Sequence, residues 1–495
     1  MKSIVNIMNF IRGCEPRMEV DLLEPVKKQI EFSEKYGFNT TFMVQYDSLI
    51  RKDFQDLLLP LDDKYEIGFW LEFNKPLMDA AGLPWKGREG WDWDWHTNVG
   101  FTPGYVPEER YKLIDIQFEK FREVFGYYPK SIGSWVLDAK SVAYCGEKYG
   151  IDACCYCKDQ YGTDGYTLWG GYFNQAYYPS KKNFYHPAQT EENQINVPAF
   201  RMLGSDPMYQ YDCFLEKRHP DVISLEPVYP NAGSDRAWCQ WFFETNFENE
   251  ALGFAYTQAG QENSFGWDLM KQGFEVQFEL MAEYEKKGLI SIEKLSDSGK
   301  WFKENYKSTP VTTVRAEKDF ENRGNKVYWY DSRFYRLNLK IHKGKLIVRD
   351  IHKFDENYEE FCYNSNIDSH ECKFSALPVY DQLMSYVNRA FSEFEIKAPL
   401  LDNYDYILDR ENNSQTIKKE GFSLVCYEDR IEISNSEGAE ITIKNPMYIT
   451  DAEDDKLSLF FEGYKYSVAL QGAETVCGNK EIKIKSKDKI IIKFS

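Results

Sequence analysis

The feature that most constrains this chain is a regular alternation of short apolar runs with helical stretches through its first three hundred residues. "SIVNIMNFI" suits a buried strand, and "VDLLEPVKKQIEFSEKYG" has helical spacing and stops at Gly37. The alternation continues through "NTTFMVQY", "YEIGFWLEF", "SIGSW", "IDACCYC", "VPAFRML" and "ALGFAYTQA", mostly separated by helical segments with glycine at their ends. A strand followed by a helix and a further strand implies parallel strands joined by right-handed crossovers. Seven such strands predict a seven-stranded (β/α) barrel over residues 1–310. Past Pro310 the texture changes to alternating strands such as "YRLNLKIH", "RIEIS" and "KIIIKFS", separated by Gly, Asn, Asp and Lys turns. Residues 311–495 are therefore expected to form a β-rich, sandwich-like domain with one or two helices, one of them near "LPVYDQLMSYVNRAF".

In a parallel α/β sheet the strand carboxyl ends converge on one face, and that face carries the chemistry. Acids at those ends are Glu72, Asp138, Asp159, Asp164, Asp206 and Glu262. Paired carboxylates, one ionised and one protonated, are what glycoside hydrolysis needs. Asp138 opens the helical stretch "DAKS", so a helix cap and a catalytic carboxylate are both open readings of it.

Aromatics make up 16% of the chain, with 12 Trp, 35 Tyr and 34 Phe. Such rings suit sugar stacking and core packing alike. The loop "LPWKGREGWDWDWHTN" sets Trp85, Trp91, Trp93 and Trp95 beside His96, which predicts a sugar platform or a packed lid. Trp135 and Trp267, next to Asp138 and Glu262 in the chain, join the substrate-binding candidates.

The net charge of -19 argues against a phosphate-tracking groove and hence against nucleic acid. The six histidines show no i, i+4 pair and the eleven cysteines no paired CxxC set, so neither a metal nor a cofactor is expected. GxGxxG, P-loop and GxSxG patterns are absent as well. Cys154, Cys155 and Cys157 sit in an expected strand as free thiols, and no membrane span is long enough. A cytoplasmic location is the expectation, with self-association left open.

"GSWVLDA" and "GQENSFGW" carry a family resemblance. The chain resembles the barrel superfamily that contains family 57 glycoside hydrolases and polysaccharide deacetylases. In family 57, a G-x-W-x-P-E segment on strand four holds the nucleophile. Here Gly133 and Trp135 match, and Asp138 stands in the carboxylate position. The family's D-x-E-x-F-G acid segment is similar to the stretch with Glu262, Phe265 and Gly266, with one extra residue and no preceding aspartate. The resemblance implies a hydrolase acting on an oligosaccharide or glycoside, with Asp138 as nucleophile or base and Glu262 as acid. Glu72, Trp91, Trp93, Trp95, His96, Trp135, Asp159, Asp164, Asp206 and Trp267 would bind the sugar. The alternatives are a metal-dependent sugar deacetylase on the same fold and a noncatalytic carbohydrate-binding protein. The deacetylases' H-x-x-x-H segment is missing here.

Overall fold

The computed structural model describes residues 1–157, 171–212, 222–370 and 375–495. Each of the seven expected strands forms: β1 (Ser3–Ile11), β2 (Thr40–Val44), β3 (Tyr65–Trp70), β4 (Ser131–Ser134), β5 (Ala153–Tyr156), β7 (Ala199–Arg201) and β8 (Ala255–Ala259). Two more join them, the two-residue β6 (Ala176–Tyr177) and β9 (Ser291–Glu293). The order is β6-β7-β5-β4-β3-β2-β1-β8, with β9 against β1, and every pairing is parallel except β6 with β7. β1 runs the length of this sheet: Ser3–Ile7 pairs with β8, and Met8–Ile11 pairs with β2. All nine of its residues are buried, as a strand covered on both faces requires.

The expected seven-stranded (β/α) barrel takes the form of a curled, half-barrel sheet. Among the described residues no backbone ladder joins β7 to β8. The two edges meet through side chains instead: the Phe200 and Tyr256 rings lie 5.1 Å apart, and the Leu203 N–H donates to Gln258 Oε1 at 2.8 Å. β7 is already paired on both sides, with β5 and with β6, so it offers no free backbone edge to β8.

Inside the curl, Phe10, Trp70 and Trp135 pack together, with Trp70 edge-on to Trp135 at 5.7 Å. Gly133 makes room for that packing, because a Cβ there would lie 2.6 Å from Cys155 Sγ and 2.8 Å from Trp70. Helix Ala139–Tyr149 follows β4 directly and ends where Gly150 takes a left-handed φ of 67°.

Beyond residue 311 an antiparallel five-stranded sheet runs β10 (Thr312–Ala316), β11 (Asn325–Asp331), β12 (Tyr335–His342), β13 (Lys345–Lys353) and β14 (Leu377–Asp381). A four-stranded and an eight-stranded sheet follow and share one core, in which Ile441 and Ile484 of the first meet Leu424 and Ile433 of the second. Alternating burial, as in Phe422, Leu424 and Cys426, produces the sandwich layering that the sequence pattern predicts. The helix expected near residue 385 is Gln382–Val387, and the "LPVYD" before it is strand β14.

Candidate active site

The carboxyl ends of β1, β2, β3 and β8 deliver Arg12, Gln45, Glu72 and Glu262 to one place. Arg12 is the hub. One of its terminal nitrogens lies 3.0 Å from Glu262 Oε2 and 3.9 Å from Glu72 Oε2, and its guanidinium stacks 3.7 Å above the Trp93 ring. Arg12 is placed by its backbone, whose N–H donates to Asn263 Oδ1 while its carbonyl accepts from Asn263 Nδ2, both at 2.9 Å.

Glu72 is fully buried. Its Oε2 accepts from Gln45 Nε2 at 2.6 Å and from Trp93 Nε1 at 2.8 Å. Its Oε1 has no hydrogen-bond partner and is equally buried. Burial pushes this carboxyl up to about 7, with Arg12 pulling it down and Glu262 pushing it further up. Glu262 accepts from the Ser264 hydroxyl, and its N–H donates to Gln261 Oε1 at 2.8 Å. Gln261 in turn donates to Glu226 Oε1 at 3.1 Å, which ties the end of β8 to a third buried acid.

The tryptophan loop covers this group. Trp93 is 1% exposed and bridges Arg12 and Glu72. Trp91 and Trp95 are half-buried and grip Arg88, whose guanidinium lies 3.6 and 3.9 Å from their rings. Arg88 also pairs with the buried Asp94, which accepts from His96 at Nδ1, 2.7 Å away. The loop is thus internally packed, with only Trp93 reaching the carboxylates.

Asp138 takes up the helix-cap position that its place at the head of "DAKS" left open. It is a buried helix cap, accepting from the Ser141 N–H at 2.9 Å and from Arg110 at 2.9 Å. Those bonds direct it to Arg110 and the following helix, while Glu262 is directed to Arg12. Asp206 likewise receives the Met208 and Tyr209 N–H groups and the Trp238 indole. Trp267 packs against the Phe32 and Phe274 rings. Trp135 belongs to the aromatic cluster beneath Arg12, with its Nε1 unpartnered. Asp159 and Asp164 lie outside the described residues. Arg12 and Gln45 are not acids and so do not stand out among the strand-end carboxylates, although each directly follows its strand ("NFIR", "FMVQ").

A divalent cation does not fit between Glu72 and Glu262, because a guanidinium fills that gap. Among the described residues the one clustered set of possible ligands is Asp350, His352 and Asp381, far along the chain on β13 and β14. Existing bonds account for it: Asp350 pairs with Arg336 at 2.9 Å, and His352 Nε2 meets Asp381 at 2.8 Å.

A family model for a domain of unknown function with solved structure, DUF3863, matches residues 93–210. No curated protein sequence matches the chain. A crystal structure from Parabacteroides distasonis described as a glycoside hydrolase/deacetylase superposes with a TM-score of 0.54 at 17% identity, covering 75% of this chain and 87% of that one. A polysaccharide deacetylase from Mycobacterium smegmatis gives 0.36 at 11% identity, covering 61% and 91%. A family 57 branching enzyme from Thermococcus kodakaraensis gives 0.31 at 11%, covering 62% and 71%. The likeness to the Parabacteroides structure is one of fold. No helix among the described residues is long and apolar enough to cross a membrane.

Proposed function

We propose that this chain is a carbohydrate-active hydrolase that cleaves a glycosidic bond, with Glu72 as general acid and Glu262 as nucleophile or base. The observation that carries the reading is the unequal treatment of two buried carboxylates around one arginine. Glu262 sits in contact with the cation, and Glu72, further from it and fully desolvated, holds its proton up to about 7. Because both oxygens approach the same nitrogen, at 3.0 and 3.9 Å, their separation is at most about 7 Å, which favours the short spacing of retaining pairs over most of the inverting range.

The proton belongs on Glu72 Oε1, since Oε2 already accepts two hydrogen bonds. As the glycosidic bond breaks, that proton passes to the leaving oxygen, and the new Glu72 carboxylate is received by Gln45, Trp93 and Arg12. Glu262 lies close enough to stabilise the positive charge developing on the sugar ring. An oligosaccharide is the substrate class this arrangement suits.

The test is release of new reducing ends from a panel of oligosaccharides by wild type and by Glu72→Gln. Hydrolysis that survives a chelator and falls in the variant supports the reading. Chelator-sensitive acetate release, or tight sugar binding without product, overturns it.

A further inference from the structure

Between β13 and β14 the chain does not turn directly. It leaves the five-stranded sheet and crosses to the end of the curled sheet where the candidate site lies. Four anchors hold this strap, residues 354–370. The Glu360 carboxyl accepts from the Ala139 and Phe184 N–H groups at 2.9 and 3.0 Å. Arg110 donates to the carbonyls of Cys362 and Ser365, both at 2.7 Å. The Ile367 N–H donates to the Pro103 carbonyl at 2.8 Å, and Asn98 Nδ2 to the Asp368 carbonyl at 3.0 Å. At the far end the Thr97 N–H donates to the His370 carbonyl, and the His370 and His96 rings stand 4.2 Å apart.

At its far end the strap's partners are residues 97–103, part of a segment, 92–104, that runs on from the tryptophan loop. That segment has little regular structure of its own: a four-residue helix at Thr97–Gly100 and a single 3-10 turn at Thr102–Gly104. Its carbonyls at Asp92 and Gly100 accept from the N–H groups of Lys75 and Phe73, immediately after Glu72. A continuous set of bonds therefore runs from the strap, through residues 97–103, to the backbone that carries Glu72 and to the loop that carries Trp93. Arg110 is the junction. Buried completely, it donates to Tyr105 O at 2.6 Å, to Asp138 at 2.9 Å and to two strap carbonyls.

We propose that the strap is a working part of the site: Arg110 and the Asn98 and His370 contacts are positioning residues that hold Trp93 onto Arg12 and Glu72. This rests on the reading of Glu72 as the acid. The competing view is that the strap only fastens the β-rich half to the curled sheet.

The two views separate in the ionisation of Glu72 itself, which faces Arg12 beyond β1, Gln45 beyond β2, Trp93 in the loop and Glu262 beyond β8, with Glu15 and Arg17 flanking Arg12. Loosening the loop admits water and drops the Glu72 midpoint toward the ordinary carboxylate range. The experiment is a pH titration of intrinsic tryptophan fluorescence on the full chain, without substrate, for wild type, Glu72→Gln, Arg110→Met and the double variant Asn98→Ala/His370→Ala. The double variant alters half-exposed and exposed side chains, so it keeps the test alive where Arg110→Met does not fold. The expected result is a Glu72-dependent transition near pH 7 in wild type, moved down by roughly one unit in the strap variants with secondary structure retained. Strap variants that lower thermal stability but titrate like wild type overturn the positioning role. A wild type with no Glu72-dependent transition overturns the acid assignment beneath it.

Discussion

Glu72 and Glu262 share one nitrogen of Arg12, at 3.9 and 3.0 Å, although 190 residues separate them in the chain. Only parallel strands whose carboxyl ends meet on one face bring such residues together. The arginine stops the two acids from behaving alike, since it lies in contact with one and at a distance from the other.

Replacing Glu72 by Gln should lower turnover of a native oligosaccharide by about 10²–10⁴-fold, the usual worth of a positioned general acid. The loss should be far smaller on an aryl glycoside whose leaving group departs without a proton. Equal losses on both substrates would mean that Glu72 is not the acid. For Glu262→Ala, added azide should restore turnover and give a glycosyl azide if Glu262 is the nucleophile.

Because Glu72 is protonated up to about 7, activity should decline as pH rises through that value. Stability follows the same group. Its folded value lies above the ordinary 4.5, so the folded state binds the proton more tightly, and stability falls as pH rises between about 4.5 and 7 and then levels off. Glu72→Gln lacks this carboxyl. Urea unfolding should show the variant gaining on wild type from pH 5 to pH 8; a constant difference would contradict the raised value.

Trp93→Phe keeps a ring over Arg12 and removes the indole N–H that donates to Glu72 at 2.8 Å. Loss of a donor to the ionised form should raise the Glu72 midpoint, and turnover should fall about tenfold, the value of one hydrogen bond to a charged group. An unchanged pH profile would show that the Trp93 bond contributes nothing to the acid.

Asp138→Asn leaves Arg110 buried without its charge partner. Breaking such a pair costs about 3–5 kcal/mol. A clear drop in the unfolding midpoint is expected, with turnover per folded molecule on a native oligosaccharide falling much less than for Glu72→Gln. A stable Asp138→Asn protein with no turnover would return Asp138 to the catalytic role.

Much of the architecture was legible because it depends on local pattern. Continuous apolar runs fix β1 to β5, glycine fixes helix ends such as Gly150, and period-two alternation fixes strands such as Phe422–Tyr427. Closure was not legible, since it depends on whether β7 and β8 share a ladder, and the two-residue β6, which no sequence pattern announces, takes the second side of β7. The site was half legible: the strand-end rule named Glu72 and Glu262, whereas it also named Asp138 and Asp206, whose positions in the chain look the same.

What the sequence determined by itself is therefore the periodicity, the class of fold and the pool of residues able to do chemistry, because these follow from side-chain spacing along one strand or helix. The tertiary structure alone decided which acids meet. Asp138 turned to Arg110 and the strap, while Glu72 and Glu262 turned to Arg12. Those partners come from elements tens to hundreds of residues away, and it is their charge and burial that separate a helix cap from the proposed proton donor.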